Sequence, residues 1–328
     1  MMARQARLDA PGTLHHVIVR GIEQRKIVDD DFDRKDFVSR MGKIASETGT
    51  LVYAWALMIN HAHILLRSGP SGLSRYMLRF LSGYAGSYNR RHRRHGHLFQ
   101  NRYKSIVCEE DRYFRELVRY IHLNPLRAKL VESLAQLDRY LWCGHSVLMG
   151  RIKNDWQDRD YVLKWFGAKE GEAKRTYRQF VKEGIEQGRR SDLVGGGLIR
   201  SQGGWSAVKA MRRRGVREKS DERILGGGEF VEQLIRQSDQ SRKEHFSALQ
   251  ISQQASALIA QVCKEQTIRV DTLKSGSRRR KVSMVRAQLA QKLVEGLGLS
   301  LAETGRHLGV SPSAVAKSLS RQDKNKLN

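Results

Sequence analysis

Residues 51–66 read LVYAWALMINHAHILL, and this stretch decides how the first part of the chain is expected to fold. Leu51–Met58 is an unbroken apolar run of strand length, and Ile59 and Asn60 form a short corner after it. Beyond the corner the side chains alternate between two faces, which carry Ala62, Ile64, Leu66 and His61, His63, Leu65. The stretch therefore predicts two neighbouring strands, the second with two histidines on one face.

The segments around this strand pair follow an order that indicates the fold. The β-branched run His15–Arg20 predicts a strand, and apolar residues at helical spacing predict helices at Asp31–Glu47 and Leu73–Arg94. After a further strand or loop, another helix is expected at Asp111–Asn124, ended by Pro125. The order strand–helix–strand–strand–helix–strand is the split βαβ arrangement of ferredoxin-like folds.

The rest of the chain reads as helical. Residues 151–273 contain short amphipathic stretches such as Tyr161–Phe166 and Ala173–Gly184, and no mechanism is assigned to them. The expected class is therefore α+β: a ferredoxin-like domain at 1–150 is followed by an all-α region. That region comprises a mostly helical connection of unknown role at 151–273, and a basic arm with a helix-turn-helix at 274–328.

The charge of the chain points to a polyanionic partner. Lys and Arg number 60 against 34 Asp and Glu, a net charge of +26, and residues 274–328 alone hold 12 basic and 3 acidic side chains. Nucleic acid is the first candidate and an anionic membrane surface the second. Three widely spaced cysteines, no signal peptide and no membrane-spanning run predict a cytoplasmic, nucleoid-associated protein without a membrane partner.

Two short motifs carry the candidate chemistry. His61 and His63 point to the same side of a strand, where two imidazoles can bind one divalent metal if a third ligand joins them; the alternative is a pair of partly exposed strand histidines. Tyr120 and Asn124 are four residues apart on a helix and share a face, so both can reach one metal-bound phosphate. The alternatives are a core aromatic and a helix-terminal residue before proline.

Taken together, these motifs resemble those of the HUH single-tyrosine transposases, and within them the REP-associated tyrosine transposases. The resemblance covers roughly residues 10–150. It is carried in order by residues 15–17 (HHV), 58–63 (MINHAH), 96–104 (GHLFQNRYK), 119–127 (RYIHLNPLR) and 140–142 (YLW).

The resemblance implies metal-dependent cleavage and rejoining of single-stranded, hairpin-forming DNA. It makes Tyr120 the nucleophile that forms a 5′-phosphotyrosine, and it makes His61 and His63 metal ligands. Asn124 takes the place of the helix-borne amide that completes the metal site in relatives. The expected metal is Mg²⁺ or Mn²⁺, because imidazole and amide ligands suit both.

DNA contacts are expected in two basic regions. The first follows the second helix and continues past the tyrosine, and comprises Arg90, Arg91, Arg93, Arg94, Arg102, Lys104 and Arg127. The second is a helix-turn-helix at 282–321 that resembles the C-terminal DNA-binding domain of the replication initiator DnaA. In it, Ser300 and Glu303 form a capping box, Gly309 lies in the turn, and the residues expected to face duplex DNA are Ser313, Lys317 and Arg321.

Two other functions remain open from the sequence. A non-catalytic DNA-binding regulator could keep the fold without the reaction, and a metal nuclease could use water in place of the tyrosine. The target repeat and the oligomeric state do not follow from the sequence.

Overall fold

The computed structural model of the chain describes residues 8–9, 11–188, 190–197, 201, 219–244, 248–277 and 279–325. By their contacts the residues divide into two compact units, Met1–Arg242 and Lys243–Asn328. The division does not fall at residues 150 and 273, and the three segments expected from the sequence remain a prediction.

The first unit is built on five strands and nine helices among its described residues. The strands are β1 (Leu14–Arg20), β2 (Leu51–Leu57), β3 (His61–Arg67), β4 (Lys104–Cys108) and β5 (Ile224–Leu225). The longer helices are α1 (Asp31–Thr48), α2 (Gly72–Arg91), α3 (Glu110–His122), α8 (Glu170–Glu183) and α9 (Gly228–Glu244). Short helices lie between them: α4 (Asn124–Arg127), α5 (Leu134–Leu137), α6 (His145–Leu148) and α7 (Arg159–Lys164). Two 3₁₀ turns span Ile22–Gln24 and Ser191–Val194.

The sheet confirms the α+β, ferredoxin-like expectation. Its strand order is β2-β3-β1-β4-β5, and each of the first three neighbouring pairs is antiparallel. This is the order that the split βαβ arrangement produces, since β3 lies between β1 and β2. The predicted strands and the first three predicted helices all form, with ends that differ by a few residues.

Each face of the sheet packs against its own layer of helices. Ala62, Ile64 and Leu66 join the core beneath α1 and α2, whereas Leu65 joins the core beneath α3. The alternation read from the sequence therefore places His63 on the α3 side. The same core includes Tyr177 and Val181 from α8, which is why α8 belongs to the first unit although it lies beyond residue 150.

Two details differ from the sequence-based expectation. Pro125 was expected to end a helix, but it lies in the first turn of the next helix, α4. Its missing N–H costs no hydrogen bond at that position. The region 151–273 is not wholly helical, because Ile224 and Leu225 pair in parallel with Val107 and Cys108 and extend the sheet. A two-residue strand has no alternation that a sequence pattern could reveal.

Among the described residues of the second unit, every secondary-structure element is a helix. The unit comprises α10 (Ala248–Glu265), α11 (Val270–Lys274), α12 (Arg280–Gln291), a π-helical turn (Lys292–Gly296), α13 (Leu301–Leu308) and α14 (Pro312–Asn325). The predicted capping box of Ser300 and Glu303 forms at the start of α13. Gly309 ends α13 in the left-handed conformation, with φ +68°, and only a short turn separates α13 from α14.

The described part of the chain holds no helix that is both long and apolar enough to cross a membrane.

Candidate active site on the α3 face of the sheet

Three side chains from distant parts of the sequence meet on the α3 face. Antiparallel pairing sets His16 opposite Leu65 and Ile18 opposite His63, so the two histidines are diagonal neighbours. The Tyr120 ring from α3 lies edge-on to both, 5.9 Å from the His16 ring centroid and 5.7 Å from that of His63. All three side chains are buried, and Tyr120 is 6% exposed. The predicted nucleophile and one predicted metal ligand are therefore in contact.

Hydrogen bonds connect the two histidines to a distant segment. His16 Nε2 lies 2.9 Å from His63 Nδ1, and His16 Nδ1 lies 3.0 Å from the Leu193 carbonyl oxygen. Burial lowers the pKa of His16 to about 4, and it lowers the pKa of His63 well below its usual value, with the neighbouring His16 adding to the effect. Both rings are therefore neutral at physiological pH and can act as acceptors on one nitrogen.

His61 is half-buried at the start of β3, and its ring centroid is 5.3 Å from that of His63. Its Nδ1 lies 2.7 Å from Asn60 Oδ1. Asn60 in turn donates its amide hydrogen to the Gln24 carbonyl at 3.1 Å, which orients the side chain so that Oδ1 is the acceptor towards His61. His61 then donates from Nδ1 and carries its lone pair on Nε2, as a metal ligand requires.

Asn124 lies at the first residue of α4, one turn beyond Tyr120. Its Nδ2 donates to the backbone carbonyls of Tyr120 at 3.0 Å and Ile121 at 3.3 Å. The amide thus secures the junction between α3 and α4, and this orientation identifies Oδ1 as the atom with metal-binding character. The donor atoms that these three side chains could offer a divalent metal are therefore two imidazole nitrogens and one amide oxygen.

Arg127 contacts the candidate nucleophile directly. Its guanidinium carbon lies 5.4 Å from the Tyr120 ring centroid, and its Nη1 donates to the Tyr120 carbonyl at 3.4 Å. Burial lowers the pKa of Arg127, while Tyr120 acts in the opposite direction. Arg127 was expected to contact DNA, and the structure adds a position beside the tyrosine that the sequence did not indicate.

The other residues expected to bind DNA lie mostly at the surface. Exposed positions are occupied by Arg90, Arg91, Arg93, Arg102, Lys104, Ser313 and Lys317, whereas Arg94 is half-buried with its guanidinium near the Tyr88 ring. Lys104 Nζ donates to the Val194 carbonyl at 2.5 Å. The side chain of Arg321 is outside the part of the chain that the structure describes.

A second group with metal-ligand character lies on the other side of the first unit. Asp29, Asp33 and His92 bring one ligand atom each within 4.8 Å of the others. Arg91, however, already pairs with Asp33 at 2.7 Å, and His92 Nε2 lies 2.8 Å from Asp33 Oδ2. Arg91 therefore binds the carboxylates of this segment, and the group ties the end of α2 to the start of α1.

His16 and the Leu193 carbonyl are the parts of the site that sequence reasoning did not single out. The alternation of β1 could have indicated His16, because Leu14, His16 and Ile18 share the face that packs against α3. No pattern could have indicated Leu193, since its contribution is a backbone atom 177 residues away in sequence.

The chain is similar to known proteins in two comparisons. Residues 12–124, about a third of the chain, match the family model described as "Transposase IS200 like". A solved structure of a REP-associated tyrosine transposase bound to a REP hairpin is similar at 14% identity and TM-score 0.39, covering 48% of this chain and 94% of that one. No curated protein matches the chain.

The family match confirms the transposase resemblance expected from the sequence. It covers β1 to the first residue of α4, and so includes His16, His61, His63, Tyr120 and Asn124. A transposase-type role in DNA processing is therefore supported for this part of the chain.

Proposed function

We propose that this protein cleaves and rejoins single-stranded, hairpin-forming DNA with Tyr120 as the nucleophile and a divalent metal, Mg²⁺ or Mn²⁺, held by His61, His63 and Asn124. The observation that supports this most strongly is the contact of the Tyr120 ring with His63 at 5.7 Å between centroids. These residues are 57 positions apart in sequence and are brought together by the packing of α3 on the sheet.

The proposed reaction exchanges one phosphodiester bond for another. Tyr120 Oη attacks the scissile phosphorus, the bond from phosphorus to the 3′ oxygen breaks, and the phenol proton is lost while the leaving oxygen becomes a 3′-OH. The product is a 5′-phosphotyrosine, which conserves the phosphodiester energy for rejoining by a 3′-OH. When bound, the metal polarises the phosphate and stabilises charge on the leaving oxygen.

Arg127 suits the same reaction. A guanidinium beside the Tyr120 ring favours the negative charge that develops as the phenol loses its proton. Arg127 could also contact the phosphate backbone, as expected from its sequence position, and the two roles are compatible.

Other tyrosines fit the nucleophile role less well. Tyr84 and Tyr88 lie in the core beneath α1 and α2, on the opposite face of the sheet from His63. The Tyr84 hydroxyl donates to the Ile27 carbonyl at 2.5 Å, and that of Tyr88 donates to Asp29 at 2.5 Å. Burial raises the pKa of both phenols, which opposes formation of a nucleophilic phenolate.

The proposal is tested with labelled single-stranded hairpin oligonucleotides from repeats flanking the gene. The wild type with Mn²⁺ or Mg²⁺ is expected to give a protein-linked DNA band on a denaturing gel, and Tyr120→Phe is expected to bind DNA without forming that band. Tyr84→Phe is the matched control and should keep the band. Cleavage without a linked band would favour a water-using nuclease, and binding without cleavage on a competent repeat would favour a regulator.

The metal site has its own test. His61→Ala is expected to weaken Mn²⁺ binding and cleavage together, because it removes one imidazole ligand. Binding is measured by the Mn²⁺ electron paramagnetic resonance signal, and removal of metal by chelation should abolish cleavage. Normal cleavage by His61→Ala would contradict this metal site.

The second unit is proposed to bind duplex DNA through α14. Ser313 and Lys317 are exposed on this helix, as a recognition helix requires, and Val315 is buried against the rest of the unit. Replacing Lys317 by Ala should weaken duplex binding without changing adduct formation on single strands.

A further inference from the structure

We propose that His16 is a positioning residue for the metal site: it connects the Leu193 carbonyl to His63 through two hydrogen bonds and so holds His63 in the Nδ1–H tautomer. In that tautomer Nε2 of His63 carries the lone pair and is the ligand atom. The inference rests on the proposed function only for the metal; the hydrogen-bond chain stands on the geometry of the protein alone.

The direction of each hydrogen bond follows from its partner. A carbonyl oxygen can only accept, so the 3.0 Å contact with Leu193 requires that His16 Nδ1 carries a proton. A neutral imidazole has one N–H, so His16 Nε2 is then an acceptor. The 2.9 Å contact with His63 Nδ1 therefore requires the proton to sit on His63 Nδ1. The remaining nitrogen of His63, Nε2, is unprotonated.

If His16 Nε2 instead donated to His63 Nδ1, His16 would have to be charged, because it would donate from both nitrogens. Both rings are fully buried, and burial of a cation without a carboxylate partner is costly. The side chains and backbone atoms found around the two rings include Tyr120, His61, Lys104 and Arg20, and none of these groups is an anion at neutral pH. The arrangement in which both imidazoles are neutral is therefore favoured.

The Leu193 carbonyl is itself firmly held. The Leu193 side chain is 1% exposed in the same core as Tyr120, and Lys104 Nζ donates to the next carbonyl, that of Val194. Further along, Gly196 N donates to the Glu222 carbonyl at 2.9 Å, and Gly197 N donates to the Ile224 carbonyl at 3.1 Å. Through the Leu193 carbonyl, the 3₁₀ turn Ser191–Val194 has a role in the site. This turn lies beyond the residues that the family model matches.

His15 provides a matched control on the same strand. It is equally buried and its pKa is also lowered to about 4 by burial, but it faces the opposite side of the sheet. Its ring nitrogens contact the Thr13 hydroxyl at 2.7 Å and the Ser105 hydroxyl at 3.0 Å. Replacing His15 by Gln therefore perturbs a buried strand histidine without touching the chain from Leu193 to His63.

The experiment is a long-range ¹H–¹⁵N correlation spectrum of the full-length, metal-free protein labelled with ¹⁵N-histidine, which reports the tautomer of each ring. Wild-type His63 is expected to be in the Nδ1–H form. His16→Phe keeps a ring but offers no acceptor, and should populate the Nε2–H form. His16→Gln offers one acceptor and one donor and should restore the wild-type form, whereas His15→Gln should leave it unchanged.

Metal binding gives the second measurement. Loss of a side chain that orients a ligand typically lowers metal affinity about 10–100-fold, so His16→Phe should bind Mn²⁺ that much more weakly and His16→Gln should bind nearly as well as wild type. A wild-type spectrum with His63 in the Nε2–H form, or an unchanged tautomer in His16→Phe, would overturn the proposal. If the tautomer follows His16 but His63→Ala leaves Mn²⁺ affinity unchanged, the metal site of the proposed function fails and the hydrogen-bond chain stands.

Discussion

Tyr177 joins two buried histidines through a single hydroxyl. It donates to His145 Nδ1 at 2.6 Å and accepts from His122 Nδ1 at 2.7 Å. His145 Nε2 donates in turn to Asp138, which also pairs with Arg178 at 2.9 Å. Burial alone would raise the pKa of Asp138, but hydrogen bonds from His145 and Arg178 hold it below its usual value. The network connects α8 to His122 at the end of α3, two residues beyond the candidate nucleophile Tyr120.

Replacing Tyr177 by Phe is therefore expected to destabilise the first unit by about 2–4 kcal/mol, because two buried ring nitrogens lose their partner. Urea unfolding measures the change. Tyr76→Phe is the matched control, since Tyr76 is also fully buried but makes a single hydrogen bond, to the Met41 carbonyl at 3.1 Å. Equal effects of the two substitutions would contradict the bridging role of Tyr177.

Much of the candidate site could be predicted at the residue scale. His61, His63 and Tyr120 belong to short motifs, and alternation along β3 correctly gave the face of His63. The hydrogen bonds between these residues could not be predicted. His16 contacts His63 only because β1 and β3 pair in one register, and the Leu193 carbonyl belongs to a turn without a recognisable sequence pattern. Local periodicity specifies a side chain's face but not its partner across the sheet.

At the scale of elements, the turn between α13 and α14 depends on one glycine. Gly309 has φ +68°, and a Cβ atom there would lie 2.1 Å from the Lys274 carbonyl oxygen. Both the conformation and the space exclude other residues.

Gly309→Ala is accordingly expected to destabilise the second unit by about 2 kcal/mol or more, from left-handed strain and the backbone clash. Thermal unfolding followed by circular dichroism measures this. Gly296→Ala is the control, because its Cβ would meet no atom within 4 Å and alanine favours helix; it should be neutral or slightly stabilising. A similar loss in both variants would show that the turn does not need a left-handed residue.

Elements whose ends carry clear capping residues were predicted best. The capping box at Ser300 and the glycine after Leu308 gave the start and end of α13 correctly. The end of α3 was expected two residues too late and α4 was not expected, because Pro125 is compatible with both the end of one helix and the first turn of another. The strand β5 was missed because its two residues are defined by pairing with β4 alone.

At the scale of the whole molecule, a net charge of +26 predicts strongly salt-dependent DNA binding. Each phosphate contact on a single strand contributes about −0.7 to the slope of log K against log salt. Arg102→Ala should weaken binding and make the slope shallower by about 0.7. Arg175→Ala, an exposed position on α8 outside the expected contacts, should change neither. Identical slopes for the Arg102 variant and the wild type would exclude a phosphate contact at Arg102.

The overall composition indicated the kind of partner but not how the chain packs. The net charge of +26 suggested a polyanionic partner, and the family match supports DNA processing for residues 12–124. Composition could not show that α8 and the turn at Ser191–Val194 pack on the transposase-like sheet, because that packing depends on buried contacts such as Tyr177 and Leu193.

The measurement that tests the central claim most directly is mass spectrometry of the trapped covalent complex. Wild-type protein is reacted with a cleavable hairpin oligonucleotide, digested with nuclease and protease, and searched for peptides carrying a nucleotide. The account predicts one modified peptide, with the nucleotide joined through its 5′ phosphate to Tyr120. A nucleotide on any other residue, or cleaved DNA with no modified peptide, would contradict it.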